Sequence, residues 1–87
     1  MANIASQEKR IHRAERERLE NRRRTSQVKT WFRRLENAIR DGDASRADEE
    51  FRVLVSRIDK AVKSGALHRN SGARKKARAA RLRSRIS

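Results

Sequence analysis

Apolar residues recur at steps of three and four along the middle of the chain, a spacing typical of an amphipathic helix. The stripe consists of Ala44, Ala47, Phe51, Leu54, Val55, Ile58, Ala61 and Val62. Asp43 stands where an N-cap carboxylate would accept hydrogen bonds from the first free amides, and Gly65 stands where a left-handed residue would end the helix. The pattern predicts one helix between these two positions.

A second stripe with the same period occupies the preceding segment and stops before Gly42. It consists of Val28, Trp31, Phe32, Leu35, Ala38 and Ile39. Because only a short break separates the two stripes, we expect the two helices to pack as an antiparallel hairpin. Trp31, Phe32 and Phe51 could stack on bases, but their helical spacing favours the core. Strict alternation of apolar and polar residues is absent, so we expect no strands.

A third helix is predicted over about residues 70–86, with Asn70 as its N-cap. One line of small residues contains Ala73, Ala77 and Ala80, and a second line contains Ala79, Leu82 and Ile86. These small residues would allow close helix packing. Gly72, in the first turn, costs about 1 kcal/mol in helix propensity relative to Ala.

Residues 5–27 contain only four apolar side chains and are dominated by Arg. If residues 6–40 form one helix, it is about 50 Å long, and its first half has nothing to pack against. The prediction is an all-α fold, a three-helix bundle with a long, projecting basic first helix. We expect a single domain over residues 1–87, in which residues 1–27 form a basic extension of the first helix and residues 28–87 form the bundle.

Charge limits the partner to an anion, because 25 Lys and Arg oppose 11 Asp and Glu in 87 residues and give a net charge of +14. Residues 1–40 hold 12 basic and 5 acidic side chains, residues 41–64 hold 5 and 6, and residues 65–87 hold 8 and none. Consecutive Arg residues point around a helix, which suits a folded RNA with phosphates on several sides. Charge alone leaves an alternative open, a DNA-compacting nucleoid protein without sequence specificity.

Catalytic and membrane functions are not expected. The chain has no Cys, and its two His residues, His12 and His68, are far apart with no carboxylate cluster nearby. We therefore expect no enzyme activity, cofactor or metal. No apolar run could span a bilayer, residues 5–27 lack the apolar face of a membrane-surface helix, and the start resembles neither a signal nor a transit peptide. We expect no membrane partner, no small-molecule substrate and no homo-oligomer.

Several segments, in order and spacing, resemble the bacterial small-subunit ribosomal protein S20 family. The resemblance lies in Met1-Ala-Asn-Ile, Lys9-Arg10, Glu15-Arg16, Arg18-Leu19, Asn21-Arg22, Val28-Lys29-Thr30, Gly42-Asp43, Ile58-Asp59-Lys60-Ala61, Gly65-Ala-Leu-His-Arg-Asn70 and Ala73-Arg-Lys-Lys76. It spans nearly the whole chain. The sequence departs from the family at Glu8, Glu17 and Glu20, where basic or neutral residues are more frequent, and at Gly72, where Ala is usual.

This resemblance implies a three-helix bundle that binds 16S rRNA directly in the body of the small ribosomal subunit, in the cytoplasm. The matching positions imply RNA contacts by Asn3, Ser6, Lys9, Arg10, Arg16, Arg18, Asn21, Arg22, Ser26, Lys29, His68, Asn70, Arg74, Lys75 and Lys76. The basic segments themselves add Arg13, Arg23, Arg24, Arg33 and Arg78. For His68, packing within the turn is the alternative to an RNA contact. The predicted function is a structural, rRNA-binding constituent of the subunit, acting by phosphate-backbone clamping.

Overall fold

A computed structural model describes the backbone of residues 3–86 and the side chains of residues 8–86. Three helices account for most of it: α1 is Asn3–Arg40, α2 is Ala44–Lys63 and α3 is Arg69–Arg83. The all-α prediction with a long first helix is confirmed. The third helix was predicted over about residues 70–86. It begins one residue earlier, at Arg69, and ends three residues earlier, at Arg83.

The C-terminal half of α1 packs on α2, as the two matching stripes predict. Leu35, Leu54 and Ile58 are fully buried at the centre of this contact, with Val28 and Phe32 beside them. Phe51 and Trp31 are only half-buried at its edge. The aromatic residues therefore serve the core, although just one of the three is fully enclosed.

The predicted ends of α2 are confirmed. The carboxylate of Asp43 accepts a hydrogen bond from the Arg46 amide at 3.0 Å. Gly65 has a φ of +83°, and its amide donates to the Val62 carbonyl at 3.1 Å. This left-handed residue turns the chain toward α3 without the steric penalty that a Cβ would incur.

The first turn of α3 is capped by His68, and the prediction of Asn70 as the N-cap is wrong. The Nδ1 atom of His68 accepts a hydrogen bond from the Asn70 amide at 3.1 Å. Asn70 is thus the residue whose amide is satisfied by the cap. The Nδ1 lone pair accepts this hydrogen bond, as the side-chain oxygen of Ser, Thr, Asp or Asn does at a typical N-cap.

Of the two predicted lines of residues on α3, the line of Ala79, Leu82 and Ile86 packs against the core and the other does not. Ala73, Ala77 and Ala80 are exposed, whereas Gly72 and Ala79 are buried. A Cβ on Gly72 would lie 2.4 Å from Cγ2 of Val62 and 3.6 Å from Cγ2 of Ile58. The absence of a side chain at Gly72 lets α3 approach α2 closely at this point.

Two ion pairs fasten α3 to α2. Lys76 Nζ lies 2.7 Å from Asp59 Oδ1, and Arg83 Nε lies 2.6 Å from Asp48 Oδ1. Arg83 also donates to the carbonyl of Ile86, which fixes the residues after α3. The hydrogen bond and positive charge of Arg83 lower the pKa of Asp48, and the same hydrogen bond raises the pKa of Arg83.

Residues 8–20 of α1 form a segment with every side chain exposed, which we call the projecting segment. Its two large apolar side chains, Ile11 and Leu19, are 57% and 61% exposed. In the described part of the chain, no helix combines the length and apolar character needed to cross a bilayer.

Gly72→Ala tests the close approach of α3 to α2. Overpacking costs about 1–3 kcal/mol and the gain in helix propensity offsets about 1 kcal/mol, so the free energy of unfolding should fall by about 1 kcal/mol. Val62 is β-branched and stiff in a helix, so it cannot turn aside easily. In a Val62→Ala background, the same change should instead stabilise the bundle. Urea denaturation, monitored by circular dichroism, measures the free energy of unfolding of the wild type and the three variants. An equal effect of Gly72→Ala in both backgrounds would contradict this packing.

Asp48→Asn tests the ion pair with Arg83. Because folding lowers the pKa of Asp48, the pair stabilises the fold above the carboxyl's unfolded pKa of about 3.9 and loses this effect as the pH falls through the lower folded value. The wild type should therefore be more stable than Asp48→Asn at pH 6, and the gap should narrow below about pH 4. Glu49→Gln, which removes a neighbouring carboxylate without breaking an ion pair, is the control in urea denaturation. A gap that persists unchanged at low pH would exclude this role.

Candidate nucleic-acid interface

One face of α1 carries a straight row of exposed cations. The row is hard to recognise in the sequence because its members are interspersed with other Arg residues. Arg18, Arg22, Lys29, Arg33 and Arg40 follow one another at intervals of four and seven residues, and all five are exposed. These intervals are close to one and two helical turns of about 3.6 residues each, so the side chains lie above one another. The consecutive Arg residues do point around the helix, but this subset forms a straight row.

The C-terminal part of this row borders α3 and forms a groove, which we call the α1–α3 groove. Two open clefts, of about 370 and 760 Å³, meet there and share Glu36 and Arg78. The cations that line them are Lys29, Arg33 and Arg40 from α1 and Lys75, Arg78, Arg81 and Arg85 from α3. Glu36 is the only carboxylate lining these two clefts, so the groove has a strongly positive potential.

Arg78 is held at the centre of the groove by two contacts to α1. Its Nη2 lies 3.3 Å from Oε1 of Glu36, and its Cζ lies 4.8 Å from the ring centroid of Phe32. The carboxylate and the ring face both favour the cation, and together they fix the plane of the guanidinium. The side chain is still 58% exposed, so N–H groups that do not contact Glu36 can bind an external anion.

The remaining predicted contacts lie in four places. Lys9, Arg10, Arg13 and Arg16 are on the projecting segment, while half-buried Asn21 and exposed Ser26 lie between it and the groove. Arg23 and Arg24 lie on the side of α1 that faces α2. Arg74 is exposed on α3 and lines a cleft with Lys75, Arg78 and Arg81, and Asn70 is exposed in the first turn of α3. The side chains of Asn3 and Ser6 lie outside the described residues.

Two predicted contacts, Lys76 and His68, also have a role within the fold. Lys76 is paired with Asp59, away from the α1–α3 groove, and its contact with RNA stays a prediction. His68 caps α3 through Nδ1, so in its neutral form the proton is on Nε2. His68 is exposed, and this N–H can donate to a phosphate oxygen while the cap stays intact. Both alternatives considered for His68, a turn contact and an RNA contact, are therefore compatible with one conformation.

Sequence reasoning missed Arg40, Arg81 and Arg85 as members of the groove. Arg81 and Arg85 belong to residues 65–87, which hold eight basic and no acidic side chains, but the sequence assigns them no partner on α1. The spacing of seven residues from Arg33 to Arg40 was the available signal, since it continues the row past the core stripe. Within the described residues, no cluster of His, Asp and Glu offers a metal site.

Comparisons with known proteins identify the family of this chain. The family model described as Ribosomal protein S20 matches residues 2–84. The small ribosomal subunit protein bS20 of Acaryochloris marina is 47% identical over 89 residues, covering 94% of this chain and 95% of that protein. Those of Alkalilimnicola ehrlichii and Frankia casuarinae are 41% and 44% identical, and the alignments cover 90% and 93% of this chain and 89% and 91% of theirs. Because the family model matches almost the full length of this chain and the relatives are 41–47% identical to it, the chain belongs to the ribosomal protein S20 family.

Proposed function

We propose that this chain is a structural constituent of the small ribosomal subunit and binds 16S rRNA directly through its phosphate backbone. The relatives are named as proteins of that subunit, which supports the general role. The observation that carries the direct contact is the α1–α3 groove, with seven cations and one carboxylate along its walls. The ribosome of the cytoplasm is the proposed location, and we propose no catalytic step.

Phosphate contacts fit the chemistry of the groove better than base contacts do. Its cations are mostly Arg, and a guanidinium matches two phosphate oxygens with parallel N–H groups. Each neutralised phosphate also releases condensed counterions, which favours binding at low salt. Aromatic side chains, which would stack on unpaired bases, are occupied by the core or its edge. The groove therefore recognises how RNA backbones are arranged in space.

The projecting segment extends the same chemistry beyond the bundle. It contains five cations and four carboxylates in residues 8–20 without an apolar face, so it gains almost nothing from packing on the protein. RNA phosphates supply its cations with further anionic partners. We propose that its helix is stabilised by RNA, which couples the ordering of the segment to binding.

Hydrogen exchange of the free chain tests this coupling. Without RNA, backbone amides of residues 8–24 should exchange rapidly, because no other helix covers them, whereas amides around Leu35 and Leu54 should be protected. Adding 16S rRNA should slow exchange in residues 8–24. Backbone NMR measures both groups in one sample, and slow exchange throughout residues 8–24 in the free chain would contradict the coupling.

Competition between RNA and DNA tests the partner. The full chain should bind folded 16S 5′-domain RNA much more tightly than a generic DNA duplex at physiological salt, because only the folded RNA presents phosphates on several sides. If about ten phosphates are neutralised, log K should fall with log salt at a slope of about −7 to −9. Filter binding across a salt series measures both quantities. Equal affinity for the two nucleic acids would favour the DNA-compacting alternative and overturn the ribosomal proposal.

A further inference from the structure

A second basic groove runs along the other side of α1, between α1 and α2. Its lining consists of Glu20, Arg23, Arg24 and Gln27 from α1 and Arg57 and Lys60 from α2, around an open cleft of about 410 Å³. Four of these six side chains are cations and one is a carboxylate. We call it the α1–α2 groove. It gives α2, whose segment has almost no net charge, a locally basic edge.

The two grooves open on opposite flanks of α1. At about 100° per residue, Arg23 and Gln27 are rotated roughly 80–160° around the helix axis from Lys29 and Arg33. The core residues Val28 and Leu35 lie between the two sets on the bundle side. A single RNA strand that follows Lys29 and Arg33 therefore cannot also follow Arg23 and Gln27, and the α1–α2 groove requires a second backbone segment.

One hydrogen bond crosses the α1–α2 groove and involves a cation of α2. Arg57 Nη1 donates to Gln27 Oε1 at 3.5 Å and links the two helices, and the Arg57 side chain is half-buried. This weak bond to a neutral amide leaves the positive charge of Arg57 uncompensated. Arg57 therefore lines the groove from the α2 side.

The one carboxylate in the groove does not block it. Glu20 lies 3.8 Å from Arg24, and the two side chains are 63% and 39% exposed. Exposed pairs of this kind stabilise helices only slightly and are screened by salt. A phosphate can therefore bind the N–H groups of Arg24 that do not face Glu20.

We propose that the α1–α2 groove binds a second segment of RNA backbone, with Arg57 and Lys60 of α2 on one wall and Arg23 and Arg24 of α1 on the other. Arg57 supplies a guanidinium for two phosphate oxygens, and Lys60 supplies a point charge beside it. α2 is thus an RNA-binding helix as well as a core helix. The proposal rests on the proposed function, since it assigns further contacts to the same RNA.

The test removes the α2 cations and compares a matched pair elsewhere on α2. Arg57→Gln with Lys60→Gln deletes the groove contacts, whereas Arg52→Gln with Lys63→Gln deletes one Arg and one Lys from the exposed face of the same helix. Binding of 16S 5′-domain RNA is measured across a salt series. The first variant should weaken binding roughly tenfold to fiftyfold at 0.1 M salt and make the slope of log K against log salt shallower by about 1.5–2. The control should change both much less.

Hydroxyl-radical footprinting then separates the two grooves. Arg57→Gln with Lys60→Gln should lose protection of one set of RNA nucleotides, and Lys29→Gln with Arg33→Gln should lose protection of a different set. Circular dichroism confirms that each variant is folded. If the groove variant and its control behave alike while the wild type still prefers the ribosomal RNA, the α1–α2 groove proposal is wrong and the proposed function stands. If the wild type shows no such preference, the proposed function itself fails.

Discussion

A narrow apolar seam between α1 and α2 carries the fold, and all of the charge must lie outside it. The centre of the seam is formed by Leu35, Leu54 and Ile58, and none of the described polar or charged residues is buried. Burying an uncompensated cation would cost several kcal/mol, so the stems of Arg and Lys line the edges of the seam and their heads point outward. Grooves beside such a seam are necessarily basic. The same constraint that limits the core therefore produces the surfaces proposed to bind RNA.

Acidic residues decide which cations remain available to an external partner. α3 has no carboxylate of its own, so Glu36 of α1 and Asp48 and Asp59 of α2 supply the opposite charges at its contacts. Each exposed pair stabilises the fold only slightly, but together they reduce the repulsion between a basic helix and a basic protein. The pair with Glu36 also orients Arg78 in the α1–α3 groove. Docking of α3 and assembly of that groove are consequently one event.

The sequence predicted the α1–α2 hairpin well because apolar periodicity reports directly on a face that is buried by large side chains. It predicted the packing face of α3 only in part, through the line of Ala79, Leu82 and Ile86, for the same reason. α3 has few large apolar residues, and its contact with α2 depends on Gly72, which has no side chain, and on the ion pairs of Lys76 and Arg83. None of these features belongs to an apolar pattern. The exposed line of Ala73, Ala77 and Ala80 was the more regular pattern, but regular spacing of small residues does not say which side another helix will cover.

The basic character of the site could be predicted from charge counts, but its arrangement could not. Counting by segment makes residues 41–64 nearly neutral and hides the fact that α2 has two different flanks. Asp48 and Asp59 are directed to α3, where their charge is used within the bundle, and Arg57 and Lys60 are directed to the groove beside α1. An external phosphate responds to the charges on the flank that it approaches, because nearby charges dominate a screened potential. Acids that hold α3 in place therefore do not cancel the cations on the opposite flank. A helix with almost no net charge can thus both join two basic helices and present a basic edge.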